Sequence, residues 1–201
     1  MYPQLQQEKS IQQQRLVFRT HVERLDPSRL IFIDESGVHK GMSRLYGRAQ
    51  GSQRVKGFTP FHPGQRTTLI AALGFRTFKA ALFGSWYTDG SIFLTFIQSY
   101  LVPTLHPGDV VIMDNLSAHK RVGVKEAIER AGAYLLYLPP YSPDFSPIEL
   151  AWSKIKSFLR KRAARTHRTL HRAICQAFQA ITSHDILAWF QHCGYRAHSF
   201  G

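Results

Sequence analysis

LIFIDESG, residues 30–37, decides how the rest of the chain is read: four apolar residues in a row, two acids, then Ser36 and Gly37. A short unbroken apolar run ending in polar residues and glycine is the signature of a strand buried on both faces. It delivers Asp34 at its C-terminal end, while Glu35, one residue on, points to the opposite face and is read as structural. A second run of the same kind, DVVIMDN at 109–115, brings Asp114 to the comparable place.

Working outward, residues 4–25 have helical character with Leu16, Phe18 and Val22, and Asp26-Pro27 closes them. This stretch is read as a connector. Residues 38–58, rich in Gly, Arg and Ser, suggest a hairpin or irregular strand, and PFHPG at 60–64 marks a loop. TTLIAALGF at 67–75 and TFKAALFGSW at 77–86 are two strands around a turn, which with the first makes an antiparallel meander. The spacing of Ile92, Phe93, Phe96, Ile97 and Tyr100 predicts a helix over 91–100, and 119–132 is a second, amphipathic one stopped by Gly132. AYLLYL at 133–138 is a short strand running into a proline-rich loop, and helices follow at 147–163, about 169–180 and 184–190. The expected fold class is α/β, a mixed sheet flanked by helices, with no repeat or linker dividing it.

Charge points either to a polyanion as partner or to a ribosome-like or simply well-solvated basic protein. The 201 residues carry 26 Lys and Arg against 13 Asp and Glu, a net +13. Two zones hold no acid at all: 36–88, with Lys40, Arg44, Arg48, Arg54, Lys56, Arg66, Arg76 and Lys79, and 150–184, with Lys154, Lys156, Arg160, Lys161, Arg162, Arg165, Arg168 and Arg172. Basic surfaces of this kind bind polyanions by releasing counterions from phosphate backbones. A membrane is excluded as partner, since the longest apolar stretches fall far short of the ~18–20 residues that cross a bilayer. The Gln-rich N-terminus is not a secretory signal, so a cytoplasmic location is expected. Cys175 and Cys193 alone make neither a disulfide framework nor a zinc site, and both are read as reduced and structural.

The candidate chemistry lies in three carboxylates. Asp34 and Asp114 end buried strands, and ligand sites of open α/β sheets lie beyond such ends. Two convergent aspartates repel, so placing them together calls for a cation, and hard oxygen ligands suit Mg²⁺ or Mn²⁺. Glu149 fits a capping box, with Ser146 as N-cap and Pro147 at the first helical position. It also stands at the margin of the apolar stripe Ile148, Trp152, Ile155 and Leu159, and helical steps from it reach Lys156 and Arg160. These two, with Lys120, Arg44 and Arg48, are the candidate phosphate-backbone contacts. His119 reads as a helix-start histidine, with orienting a water or touching phosphate as the alternative. Asp144 reads as a turn residue, and Trp86, Trp152 and Trp189 as core aromatics.

IFIDESG at 31–37, VVIMDNLSAHK at 110–120 and LPPYSPDFSPIELAWSKIK at 138–156 resemble the three signature blocks of DDE transposases of the mariner superfamily, in its bacterial insertion-sequence branch. Thirty-four residues separate Asp114 from Glu149, the interval typical of that group. The resemblance covers about residues 25–195. It implies a ribonuclease H-like fold with Asp34, Asp114 and Glu149 as the metal-binding triad, Asp34 bridging two Mg²⁺ or Mn²⁺ ions. It further implies strand cleavage and strand transfer at insertion-sequence ends, double-stranded DNA of transposon end and target as partner, a homo-oligomer on DNA and a bacterial, nucleoid-associated setting. Ser146 stands where the family usually has Asn. About 30 residues precede the first block, so residues 1–26 are expected to be a helical connector and 27–201 the catalytic domain, with end recognition supplied by an upstream helix-turn-helix product. A ribonuclease H-like nuclease or resolvase, and a non-catalytic DNA-binding partner or inhibitor of a full-length transposase, are the alternatives.

Overall fold

The first apolar run forms the central strand, β1 (Leu30–His39), in the computed structural model of the chain. The structure describes residues 3–196 apart from Leu45, Phe58, Pro63 and Thr88, without the side chains of residues 3–7 and Ala118. Pro63 of the expected 60–64 loop and the last five residues of the expected 27–201 domain thus lie outside the described residues.

On one edge β1 pairs antiparallel with β2 (Arg66–Gly74) from Ile31 opposite Gly74 to His39 opposite Arg66, and β2 pairs antiparallel with β3 (Phe78–Gly84). On the other edge it pairs parallel with β4 (Val110–Met113) over Leu30–Phe32 only, and β4 pairs parallel with β5 (Tyr134–Tyr137). The resulting five-stranded mixed sheet has the order β3-β2-β1-β4-β5. Asp34 is therefore not at the end of its strand, as the sequence suggested. β1 continues to His39 because β2 goes on satisfying its backbone, with Ser36 and Val38 buried. What ends near Asp34 is the neighbouring β4, and that opens the sheet on the side where Asp114 emerges.

Alternation along the strands separates two cores. Leu30, Phe32, Leu69, Ala71, Val110 and Ile112 face one layer, formed by α4 (Pro147–Arg162), α5 (His167–Gln179) and α6 (Ser183–His192), with Phe18 and Val22 of α1 (Pro3–Val22) in the same cluster. Ile31, Ile33, Ile70, Ala72, Val111 and Met113 face the other, formed by α2 (Gly90–Phe96) with its π-helical continuation Ile97–Leu101 and by α3 (Val124–Arg130). By this parity Asp34 belongs to the α4 side and Glu35 to the α2–α3 side.

Several expected elements differ. Among the described residues of 40–65 there is no strand or hairpin, only turns and irregular chain. The helix expected over 119–132 begins only at Val124, because Gly123 takes φ +98°, a left-handed conformation that breaks the run; Ser117–Lys120 is a separate 3₁₀ turn. The helix expected over 91–100 is α-helical only to Phe96. α4 starts at Pro147 as predicted, with Ile148, Ala151, Trp152, Ile155 and Leu159 buried, yet the Ser146 side chain makes no cap bond and is itself buried. The capping box is absent, so Glu149 is not committed to the helix end.

The last helix shares the core cluster of α4 and is also joined to it by an ion pair. Asp185 takes Lys154 Nζ at 2.6 Å while closing a capping box with Thr182, and these partners pull its carboxyl down to about 2. A depressed carboxylate contributes stability that is present above its unfolded value and lost as pH falls through the folded one. Asp185→Asn is expected to cost about 1 kcal/mol at pH 7 by urea denaturation, the difference vanishing as pH approaches 2.

Candidate active site

A cavity of about 400 Å³ opens where β4 stops, and Asp34, Asp114 and Glu149 all line it, with Asn115 and the Pro139–Pro143 loop. Each carboxylate arrives from a different element: Asp34 from the middle of β1, Asp114 from the first residue after β4, Glu149 from the third position of α4. The structure thus places the three sequence-predicted carboxylates around one cavity. No lysine, arginine or histidine is among the lining residues, so three acids share a cavity without a cation in a chain of net charge +13.

Asp34 is the most constrained of the three. Burial, with Glu149 and Asp114 adding repulsion, raises its carboxyl to about 7, against the indole N–H of Trp152, which donates to Oδ2 at 2.9 Å. Trp152 is thus a core residue that also holds a carboxylate, a role the sequence reading missed. The signal was its position one helical turn after Glu149. Asp114 Oδ1 accepts from Leu116 N at 3.1 Å and lies 2.5 Å from His119 Nδ1. Burial alone would raise the Asp114 carboxyl, but His119 holds it below its ordinary value. The imidazole in turn, though burial pulls it down, is carried to about 9 by Asp114 and Glu35 and is an imidazolium at neutral pH. His119, expected at a helix start, lies instead in the 3₁₀ turn Ser117–Lys120 and is buried behind the cavity.

The loop that walls the cavity is clamped by α1. Arg15 donates to Asp144 at 2.6 and 3.0 Å, to Ser142 Oγ at 2.8 Å and to the carbonyl of Tyr141 at 3.3 Å. Tyr141 has φ +54°, which costs a non-glycine residue roughly 1 kcal/mol, and it leaves its ring exposed. Asp144, expected to be a turn residue, is one half of this clamp. α1, expected to be a connector, packs Phe18 and Val22 into the core and reaches the site through Arg15.

The basic candidates are spread out. Lys156 and Arg160 are half-buried on α4, along the line that starts at Glu149, and neither has an ion pair or hydrogen bond among the described residues. Lys120 stands 5.7 Å over the Tyr137 ring. Arg44 and Arg48 are exposed in the irregular 40–65 segment and do not line the cavity. That segment leaves the body at a fixed point, since Arg165 donates to the carbonyls of Lys40 and Met42 at 3.1 and 3.0 Å and to Ser43 Oγ at 2.6 Å.

Among the described residues no three His, Cys, Asp or Glu close on one ion-sized point. The donor set nevertheless fits a hard divalent cation: carboxylate oxygens from three elements, one of them deep and short of countercharge, around an open cavity. Chemically, such a donor set is suited to a hard divalent ion. No helix among the described residues is long and apolar enough to cross a membrane.

Residues 29–171 match the family described as DDE superfamily endonuclease. No curated protein matches the sequence. Among solved structures the chain is similar to the Mos1 transposase paired-end complex with left transposon end, at TM-score 0.73 and 13% identity over 95% of this chain and 62% of that one. It is also similar to the Mos1 mariner paired end complex with Mn, at TM-score 0.72 and 13% identity over 91% and 58%, and to the catalytic domain of Mos1 mariner transposase, at TM-score 0.66 and 11% identity over 96% and 90%. The chain spans about six tenths of the first of these chains, and identities this low speak to the shared fold, the ribonuclease H-like one.

The raised Asp34 carboxyl has a measurable effect on stability. The folded chain holds that proton more tightly than the unfolded chain, so the contribution is present below about pH 4 and is lost as pH rises to 7. Asp34→Asn keeps an acceptor for Trp152 and removes the titration. In EDTA it is expected to stabilise the chain at pH 8 by about 3 kcal/mol, with little difference at pH 4, as read by urea denaturation at the two pH values.

Proposed function

The chain belongs to the DDE superfamily of endonucleases, and from that membership we propose that it is the catalytic domain of a DNA transposase that cleaves and joins strands at insertion-sequence ends. The observation that carries the reading is the convergence of Asp34, Asp114 and Glu149 on one cavity without a lining cation. Residues 27–201 are the catalytic domain in this reading, and 1–26 the helix through which a recognition module supplied upstream would connect. Two Mg²⁺ or Mn²⁺ ions held by the three carboxylates would activate a water or DNA 3′-hydroxyl and stabilise the leaving oxygen of an in-line displacement.

The chain's own residues prepare that chemistry. Trp152 fixes the carboxylate plane of Asp34 from the α4 side. Asp34 releases its proton when a cation is bound, so binding strengthens as pH rises through 7. The Pro139–Pro143 loop, held by Arg15, forms the wall against which a DNA strand would lie. Lys156 and Arg160, two and three turns along α4 from Glu149, are placed to take successive phosphates. No side chain acts as a nucleophile. The partners are double-stranded DNA of the transposon end and target, a homo-oligomer assembled on it, and an upstream helix-turn-helix product, in a bacterial cytoplasm at the nucleoid. The three intact carboxylates favour this reading over a non-catalytic DNA-binding partner, and strand transfer is what separates it from a ribonuclease H-like nuclease or resolvase.

The test uses duplexes carrying the inverted repeats that flank the coding frame. The chain, with its upstream product where one is encoded, is expected to nick and transfer the ends with Mg²⁺ or Mn²⁺ and not in EDTA. Asp34→Asn, Asp114→Asn or Glu149→Gln should each lower the rate by on the order of 10³-fold or more with the fold intact. Full activity in any of these variants would refute the assignment.

Binding to DNA checks the helix track. Lys156→Ala with Arg160→Ala is expected to weaken binding about equally on every duplex sequence and to lower the slope of log K against log [salt] by about two, roughly one per lost phosphate contact. An unchanged slope in the double variant returns both residues to a solvated helix face.

A further inference from the structure

His119 is buried to a degree that few histidines reach, 2% exposed at its side chain, and every face of its ring is occupied. The ring stacks on Phe93 of α2, centroids 4.1 Å apart and 27° from parallel. Nε2 stands 3.5 Å from Glu35 Oε1, and Nδ1 stands 2.5 Å from Asp114 Oδ1, off the axis of an aligned hydrogen bond. Glu35 comes from the sheet face opposite to Asp34, so the imidazole spans from the back of β1 to the residue that ends β4.

The consequence lies in which oxygen of Asp114 is engaged. His119 Nδ1 and Leu116 N both address Oδ1, and Oδ2 has no polar partner among the described residues. One oxygen is pinned to the protein from behind, leaving the other to the cavity. A short aspartate on an irregular turn otherwise swings freely about its two side-chain torsions. Phe93 fixes the ring plane, Glu35 anchors the far nitrogen, and the near nitrogen then fixes the carboxylate. Histidines that orient carboxylates, and carboxylates that orient histidines, are a recurring support for cation sites.

We propose that His119, anchored by Glu35 and Phe93, is the positioning residue of Asp114, holding Oδ1 so that Oδ2 faces the cavity. The proposal rests on the cation-site reading above for its functional consequence, but the His119–Asp114 contact itself stands without it.

Two measurements test it. On the metal-free chain, thermal unfolding of His119→Phe, Asp114→Asn and the double variant forms a cycle; Phe keeps the stacking on Phe93 and removes the polar contact. The Tm loss of the double variant is expected to fall well short of the sum of the single losses, and strict additivity overturns the proposal whatever the site binds. On the full chain, Mn²⁺ affinity is read by calorimetry and by the electron paramagnetic resonance of free Mn²⁺. His119→Phe is expected to bind 10- to 100-fold more weakly. His119→Asn, whose amide replaces Nδ1, should recover most of that loss, while His119→Gln, whose amide replaces Nε2 and reaches Glu35, should not. Wild-type affinity in His119→Phe, or equal recovery by Asn and Gln, overturns the positioning role. Absence of Mn²⁺ binding by the wild-type chain would instead sink the cation-site reading, and the unfolding cycle alone then decides the His119–Asp114 contact.

Discussion

The indole N–H of Trp152, donated to the carboxylate of Asp34, joins the central strand to α4, the longest of the three helices α4 to α6. The contact answers a physical conflict. A carboxylate is set into the interior of a basic protein, in company with two others, and burial would drive it to protonate. Helix α4 relieves part of that cost by burying an aromatic with a polar handle, and in doing so fixes its own entry so that Glu149, one turn earlier, reaches the same cavity. If α4 docked one residue out of register, the apolar stripe, the indole and the third acid would all face wrongly at once. Packing and site are thus the same constraint seen from two sides.

The sequence was a good guide wherever period and punctuation coincided. The four-residue apolar run Leu30–Ile33, the proline at the start of α4 and its stripe of Ile148, Trp152, Ile155 and Leu159 all report burial directly, and burial is what the fold realises. It misled where local signals carried non-local consequences. Asp34 was read as a strand end because acids follow apolar residues, but the strand runs on with β2 as partner. Residues 119–132 carry a helical pattern that Gly123 interrupts, and a single glycine inside a periodic run does not announce whether it is tolerated or decisive. Ser146, Pro147 and Glu149 matched a capping box in letters, yet Ser146 is buried without capping and Glu149 turns to the cavity.

The supporting side chains of the site were the least legible. His119 and Glu35 lie 84 positions apart and Arg15 and Asp144 lie 129 apart, and no periodicity reports such pairings. The acids were singled out by the apolar runs that precede Asp34 and Asp114 and by the resemblance of the three blocks. The groups that aim them follow from tertiary packing, where one ring stacked on Phe93 decides which oxygen of Asp114 stays free. The helix read as a connector also carries contacts its many polar residues hide: Phe18 and Val22 pack in the core and Arg15 holds the loop.

That Arg15 clamp also bears on the order in which the protein is made. Its two halves, near the beginning of the chain and beyond residue 140, leave the ribosome far apart in time. The strands β1 to β4 are all synthesised before the Pro139–Pro143 loop exists. The left-handed backbone at Tyr141 and the Arg15 contact on its carbonyl join parts of the chain made far apart. Such distant closure is slow compared with local pairing, and domains of this size pass through partly formed states. A chain made only as far as the end of β5 therefore holds Asp34 and Asp114 but neither the clamped wall nor Glu149, which both come later in the sequence.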